Sequence, residues 1–112
     1  MDIATTREDS FFTLALSGRM DATTTTEFDL LVQKAQTEGQ KNILVDMHDL
    51  VYISSAGLRS LLGLAKSLKA AQGKLIFCSL QPMVAEVFHI SGFDRILMVL
   101  EDKTAALAAF KA

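Results

Sequence analysis

Two adjacent serines, Ser54 and Ser55, follow Val51-Tyr52-Ile53 and precede Ala56-Gly57-Leu58. A serine hydroxyl can attack a carbonyl, accept a phosphoryl group or cap a helix, and its neighbours decide which. An esterase-type nucleophile needs glycine two places before it and two after it. Ser55 has Ile53 before it and Gly57 after it, so the first glycine is missing. No second element supplies a His–Asp pair. Helix capping suits a serine that precedes a helical run. Phosphate chemistry suits it as well. A phosphoserine carries close to two negative charges, and the start of a helix offers a positive dipole end with free N–H groups. The neighbouring Ala56 and Gly57 are small, so a partner's backbone can approach closely. Gly57 weakens a helix in its first turn and leaves space for a docking surface.

The other chemistry-bearing residues form no comparable pattern. Asp46, His48 and Asp49 make a titratable group, read as a solvated loop in which Asp46 bonds to nearby amides. Asp21 stands before the first helix, either as its cap or as a contact beside the serines. His48, His89 and Cys78 lack metal-ligand spacing. There is no Walker sequence and no G-x-G-x-x-G, so no cofactor is expected. Met20, Met47, Met83 and Met98 read as core or rim filling.

The serines need elements that position them. Phe11–Ser17 alternates Phe12, Leu14 and Leu16 with Phe11, Thr13 and Ala15, which predicts a strand apolar on both faces. Ile3–Thr6 predicts a weaker strand paired to it across the polar turn Arg7-Glu8-Asp9-Ser10. Phe28, Leu31, Val32 and Ala35 share one helical face, predicting a helix over about Thr23–Glu38. Thr24 and Glu27 match a capping box there, and Gly39 marks the stop. Ile43–Met47 reads as a buried strand followed by a short loop that carries the serines. Leu58, Leu61, Leu62, Ala65 and Leu68 predict a helix over Ala56–Ala71, ended by Gly73. Lys74–Cys78 is the next strand. Pro82 opens a helix facing inward through Val84, Val87 and Phe88, and Gly92 closes it. Ile96–Leu100 is the last strand, and Asp102 caps a final helix bearing Leu107 and Phe110. The order ββαβαβαβα predicts an α/β fold: a mixed, mostly parallel sheet of four to five strands with about four helices. Functional groups then collect at the carboxyl ends of the strands, where the serines lie.

Half of the 112 residues are apolar and the net charge is −2. That length suits one domain over 1–112, with a core that needs no staples. Cys78 is the only cysteine, so no disulfide forms within the chain, and one thiol in a strand fits a reducing cytoplasm. No basic stripe suggests nucleic acid as a partner. No apolar run approaches the roughly 18 residues that span a bilayer, so no membrane insertion is expected. Met1-Asp2-Ile3-Ala4-Thr5 lacks the features of a signal peptide.

Taken together, Ile43–Leu62, read as strand, junction, Tyr-Ile-Ser-Ser-Ala-Gly-Leu and helix, resembles the STAS domain. More narrowly, it is similar to the bacterial anti-sigma factor antagonists. The resemblance covers almost the whole chain. Leu16-Ser17-Gly18-Arg19-Met20-Asp21 is similar to the family's Leu-x-Gly-x-Leu/Met-Asp segment. Leu44-Val45-Asp46-Met47 and Ser91-Gly92-Phe93-Asp94-Arg95-Ile96 extend the match.

The resemblance implies a protein-interaction module without catalysis of its own, controlled by phosphorylation. It implies Ser55 as phosphoacceptor, three residues before the motif leucine Leu58. It implies a partner surface of Asp21, Ser54, Ala56, Gly57 and Leu58. The implied partners are an anti-sigma factor serine kinase of histidine-kinase-like ATPase fold, bound when Ser55 is unphosphorylated, and a PP2C-type phosphatase. Many relatives have Asp before the acceptor and Ser or Thr after it, where this chain has Ser54 and Ala56. Some STAS domains instead serve lipid ABC transporters or signalling assemblies with no phosphate cycle. A response-regulator receiver has similar alternation and would place phosphate on Asp46 or Asp49. A receiver needs an acidic pair after its first strand, where Asp21 is single, and a lysine after its last, where Lys103 comes late.

Overall fold

The computed structural model describes residues 1–8 and 10–111. Asp9, in the expected polar turn, lies outside them. The elements run β1 (Asp2–Arg7), β2 (Phe12–Met20), α1 (Thr25–Thr37), β3 (Asn42–Ile53), α2 (Ser55–Ala70) and β4 (Lys74–Cys78). They continue through α3 (Pro82–Ser91), α4 (Phe93–Ile96), β5 (Met98–Leu100) and α5 (Lys103–Lys111). The strands form one five-stranded sheet in the order β1-β2-β3-β4-β5. β1 and β2 pair antiparallel as a hairpin, and the other neighbours pair parallel.

Alternation on the strands divides the core into two. Leu14, Val45 and Phe77 face a layer made by α1, α2 and α3, which supply Phe28, Leu61, Leu64 and Phe88 among others. Leu44, Ile76 and Cys78 face the opposite side, where α5 covers them with Ala106 and Leu107. Phe11 lies just outside β2 and stacks on Phe110, centroids 5.1 Å apart and planes 2° from parallel. A pair stacked in this way anchors α5 across the sheet. The Thr13 hydroxyl is buried on this side with no hydrogen-bond partner among the described residues.

The expected order holds, with one addition and several shifted boundaries. Gly92 adopts φ 79° and closes α3 as expected, but the chain then makes the extra short helix α4. Ile96, expected in the last strand, belongs to α4 and is exposed, so β5 starts at Met98. The capping box of Thr24 and Glu27 does not form. The Thr24 hydroxyl instead accepts the Asp21 N–H at 2.9 Å and donates to the Arg19 carbonyl at 3.1 Å. On α2, Leu64 is buried while Leu62 is only half-buried. Gln72, and not Gly73, takes the left-handed position after α2 at φ 61°. Gly73 is needed for a different reason: a Cβ there would lie 2.3 Å from the Lys41 carbonyl oxygen.

The largest departure is β3. The short loop expected after Met47 is strand, and β3 continues to Ile53. β4 stops pairing with it at Asp46↔Cys78, whereas β2 follows it to Met20↔Ile53. Two register shifts, between Ala15 and Ser17 and between Gly18 and Arg19, each admit an extra β3 residue. They explain why Met47, Leu50 and Ile53 are all buried at a spacing of three instead of two.

Candidate functional site

The two serines have different surroundings. Ser54 is the single residue between β3 and α2, in extended conformation at φ −92° and ψ 175°. Its Oγ accepts the Gly57 N–H at 3.2 Å, its carbonyl accepts the Leu58 N–H at 2.9 Å, and its own N–H donates to the Met20 carbonyl at 2.9 Å. It is therefore the helix cap. Ser55 is the first residue of α2 and is exposed. Its hydroxyl has no hydrogen-bond partner among the described residues. The N–H groups at the start of a helix have no carbonyl behind them to bond. An anion on Ser55 would stand beside them at the positive end of a two-strand-supported helix of 16 residues.

Gly57 explains how the helix can start so close to the sheet. A Cβ on Gly57 would lie 2.7 Å from Ile53 Cγ1 and 3.0 Å from the Met20 carbonyl oxygen. Gly57, expected to open a docking surface, is instead buried and faces the sheet. Ala56 and Leu58 are half-buried beside it, and Ser55 is the most exposed of the group.

Asp21 reaches the same corner from β2. It directly follows Met20, whose carbonyl holds Ser54, so the Asp21 and Ser54 segments are tied together. The Asp21 Oδ1 accepts the Thr23 hydroxyl at 2.6 Å and the Thr23 N–H at 2.9 Å. The hydroxyl, then the N–H, hold its carboxyl below the usual carboxylate range, with a smaller contribution from Arg19. The Arg19 guanidinium lies 4.0 Å from the centroid of the Tyr52 ring across the β2–β3 pair. Sequence reasoning missed Met20, Thr23 and the Arg19–Tyr52 contact as parts of this corner. An Asp followed two places later by Thr is a legible turn signal that would have identified Thr23. The Met20 carbonyl and the Arg19 contact depend on strand register and leave no local signal.

Asp46, His48 and Asp49 stay apart from this corner. Asp46 Oδ1 accepts the His48 N–H at 3.1 Å, so the expected amide bond is present, although the residues lie on a strand. His48 Nδ1 meets Asp49 Oδ1 at 2.9 Å with both side chains largely exposed. Gln81 donates to the His48 carbonyl, which ties the start of α3 to the strand. Among the described residues, no helix is long and apolar enough to cross a membrane.

Comparison with known proteins agrees with this architecture. The STAS domain family model matches residues 2–106. A Bordetella bronchiseptica protein named as an anti-sigma factor antagonist, BtrV, is 37% identical over 111 residues, covering 99% of this chain and 96% of that one. Among solved structures, one from Thermotoga maritima, titled as an anti-sigma factor antagonist, superposes with a TM-score of 0.94 at 18% identity. It covers 98% of this chain and 95% of that one. The anti-sigma factor antagonist SpoIIAA superposes in its unphosphorylated form with a TM-score of 0.83 at 20% identity, over 99% and 98% of the two chains. Its phosphorylated Bacillus form superposes with 0.76 at 20%, over 96% and 99%. With its hairpin-led sheet, its capped serine junction and a match over nearly all its length, the chain belongs to the STAS domain family, among the anti-sigma factor antagonists.

Proposed function

We propose that Ser55 is the phosphoacceptor of a partner switch. Unphosphorylated, the corner of Asp21, Ser54, Ser55, Ala56 and Leu58 docks on an anti-sigma factor that is itself a serine kinase of histidine-kinase-like ATPase fold. Gly57 contributes from inside by setting the helix close to Met20. Phosphorylation of Ser55 ends the interaction, and a PP2C-type phosphatase restores it. The switch works as one domain in the cytoplasm. The family is one of non-enzymatic interaction modules, which suits a site with an acceptor but no assembled nucleophile–base pair.

The observation that carries this reading is the division of labour between the serines. Ser54 spends its hydroxyl on the cap, whereas Ser55 presents a free hydroxyl to solvent one residue later. A phosphate on Ser55 is compatible with the helix, because it sits at the favourable end of the dipole and next to unbonded N–H groups. Its action is then local: it brings close to two negative charges to a face that has to be desolvated on docking. SpoIIAA, solved in both phosphorylated and unphosphorylated forms, is a structural relative in which the fold accommodates the modification.

The test uses wild-type protein, Ser55→Ala and Ser55→Asp as parallel baits in lysate of the source cells. Partners and residue 55 are read by mass spectrometry. A histidine-kinase-like ATPase should be retained by wild type and Ser55→Ala and lost with Ser55→Asp, with phosphate on Ser55 of the wild type. Retention of the same partner by all three, with Ser55 unmodified, would replace the switch by constitutive scaffolding. An ABC ATPase as that partner would identify the scaffold as a transporter subunit.

A further inference from the structure

Ser55 has one basic neighbour on its own face of α2. Arg59 follows it by four positions, and both residues are exposed. Residues four apart on a helix bring their Cβ atoms to about 5–6 Å. Helical side chains lean toward the N-terminus, so a long side chain at position 59 covers the turn that begins with Ser55. An acid four residues before a base is the favoured order for such a pair. In the unmodified chain the pair is incomplete, because position 55 carries a neutral hydroxyl.

Arg59 takes part in none of the three ion pairs among the described residues. Its acidic neighbour is Asp29 of α1, which lines the same α1–α2 groove and accepts the Ser60 hydroxyl at 3.3 Å. The other charges of the corner are placed differently. Arg19 alternates with Met20 along β2, and Met20 approaches Gly57 beneath α2. Arg19 therefore points to the opposite face of the sheet, where it lies over Tyr52. Asp21 Oδ1 is taken by Thr23. The next cations of α2, Lys66 and Lys69, stand about 16 and about 21 Å along the helix axis from Ser55. Arg59 is thus the cation within one helical turn of a phosphate on Ser55.

We infer that Arg59 is the internal clamp for the phosphate of Ser55, an inference that rests on Ser55 being the phosphoacceptor. The planar guanidinium fork gives two parallel charge-assisted hydrogen bonds to phosphate oxygens. Its positive charge favours the doubly ionised phosphate, whose second ionisation otherwise falls at about pH 6. The clamp therefore fixes the full charge over the first turn of α2 at neutral pH. It also withdraws Arg59 from the face that docks when Ser55 is unmodified. Asp29, with one charge against two, is the weaker competitor for the guanidinium. Asp29 and Asp21 both oppose ionisation of the phosphate, so Arg59 is the side chain that offsets them.

The test installs phosphoserine at position 55 of the full chain by genetic code expansion, so that no kinase is needed. The phosphate is titrated by phosphorus NMR at low ionic strength. With Arg59 present it should ionise about half a pH unit below its value in Arg59→Gln. Arg59→Lys should restore part of that shift, since an ammonium keeps the charge and loses the fork. Lys66→Gln, three turns away, should titrate as the parent does. The Arg59 Nε–H signal should move between the unmodified and phosphorylated chains. The clamp is overturned if Arg59→Gln titrates as the parent does, if Lys66→Gln shifts the titration as far as Arg59→Gln, or if the Arg59 signal ignores the phosphate. Each of these results, with phosphate found on Ser55 in the source cells, removes the clamp and leaves the switch standing. Ser55 unmodified in those cells overturns the switch itself, and the clamp's role with it.

Discussion

The Ser54 N–H donates to the Met20 carbonyl oxygen at 2.9 Å, joining the end of β2 to the first residue before α2. That bond brings the segment that begins at Asp21 to the serines, which lie more than thirty positions later in the chain. The same Met20 limits what can occupy position 57, because its carbonyl would lie 3.0 Å from any Cβ there. One strand end therefore sets the cap, the helix approach and the position of Asp21.

The two serines should separate cleanly by stability. Ser54→Ala removes the acceptor of the Gly57 N–H and should cost about 1 kcal/mol, lowering Tm by about 4 °C. Ser55→Ala should stay within about 0.5 kcal/mol of wild type, since its hydroxyl holds nothing. Thermal denaturation followed by circular dichroism measures both. Equal losses would contradict the assignment of Ser54 as the cap.

Gly57→Ala sets two effects against each other. Alanine improves helix propensity by about 1 kcal/mol, but its Cβ meets Ile53 Cγ1 at 2.7 Å and the Met20 carbonyl at 3.0 Å. Ile53 and the strand end lie in the core, so overpacking at about 1–3 kcal/mol should win. Urea unfolding should show a net loss of stability of about 1 kcal/mol, with an unchanged m-value.

Asp21 should give stability a pH dependence of definite sign. The Thr23 hydroxyl and N–H depress its carboxyl in the folded chain, so the unfolded chain binds the proton first as pH falls. Its contribution is complete above the unfolded carboxylate value of about 3.9 and disappears as pH falls through the lower folded value. The Tm difference between wild type and Asp21→Asn should be constant near neutrality and shrink below about pH 4. Carboxyl NMR of Asp21 should titrate below free aspartate, and the Thr23→Ala variant should move it back upward.

Cys78 should report on α5. Its thiol is buried and burial pushes its pKa up, so it should resist alkylation at neutral pH and react on unfolding. Phe110→Ala removes the ring stacked on Phe11 and loosens the helix that covers Ile76 and Cys78. Alkylation of Cys78 should then speed up while the opposite face of the sheet stays folded. Unchanged reactivity would show that α5 is held by its other contacts.

Much of the protein could be read from its residues alone, because much of it is decided by near neighbours. Alternation along Phe12–Leu16 and three–four spacing along Leu58–Leu68 each describe one element meeting one apolar face, and that requirement is local. The element order, the buried strands, the Gly92 stop and the Asp102 cap of α5, seen as the Ala105 N–H bonding Asp102 Oδ1 at 2.8 Å, follow from such patterns. The serine junction at the start of α2 follows as well. Tertiary structure decided what depends on a partner strand or a distant backbone. β3 reaches Ile53 because β2 continues beside it through two register shifts, which a fixed two-residue alternation hides. Ser54 became the cap, and Ser55 the exposed hydroxyl, because the Met20 carbonyl holds the Ser54 N–H. Gly57 turned inward because the strand ends leave no room for a side chain. Sequence patterns mark which residues can cap, bend or bury, and strand pairing over long separations chooses among them, because only the assembled sheet supplies their partners.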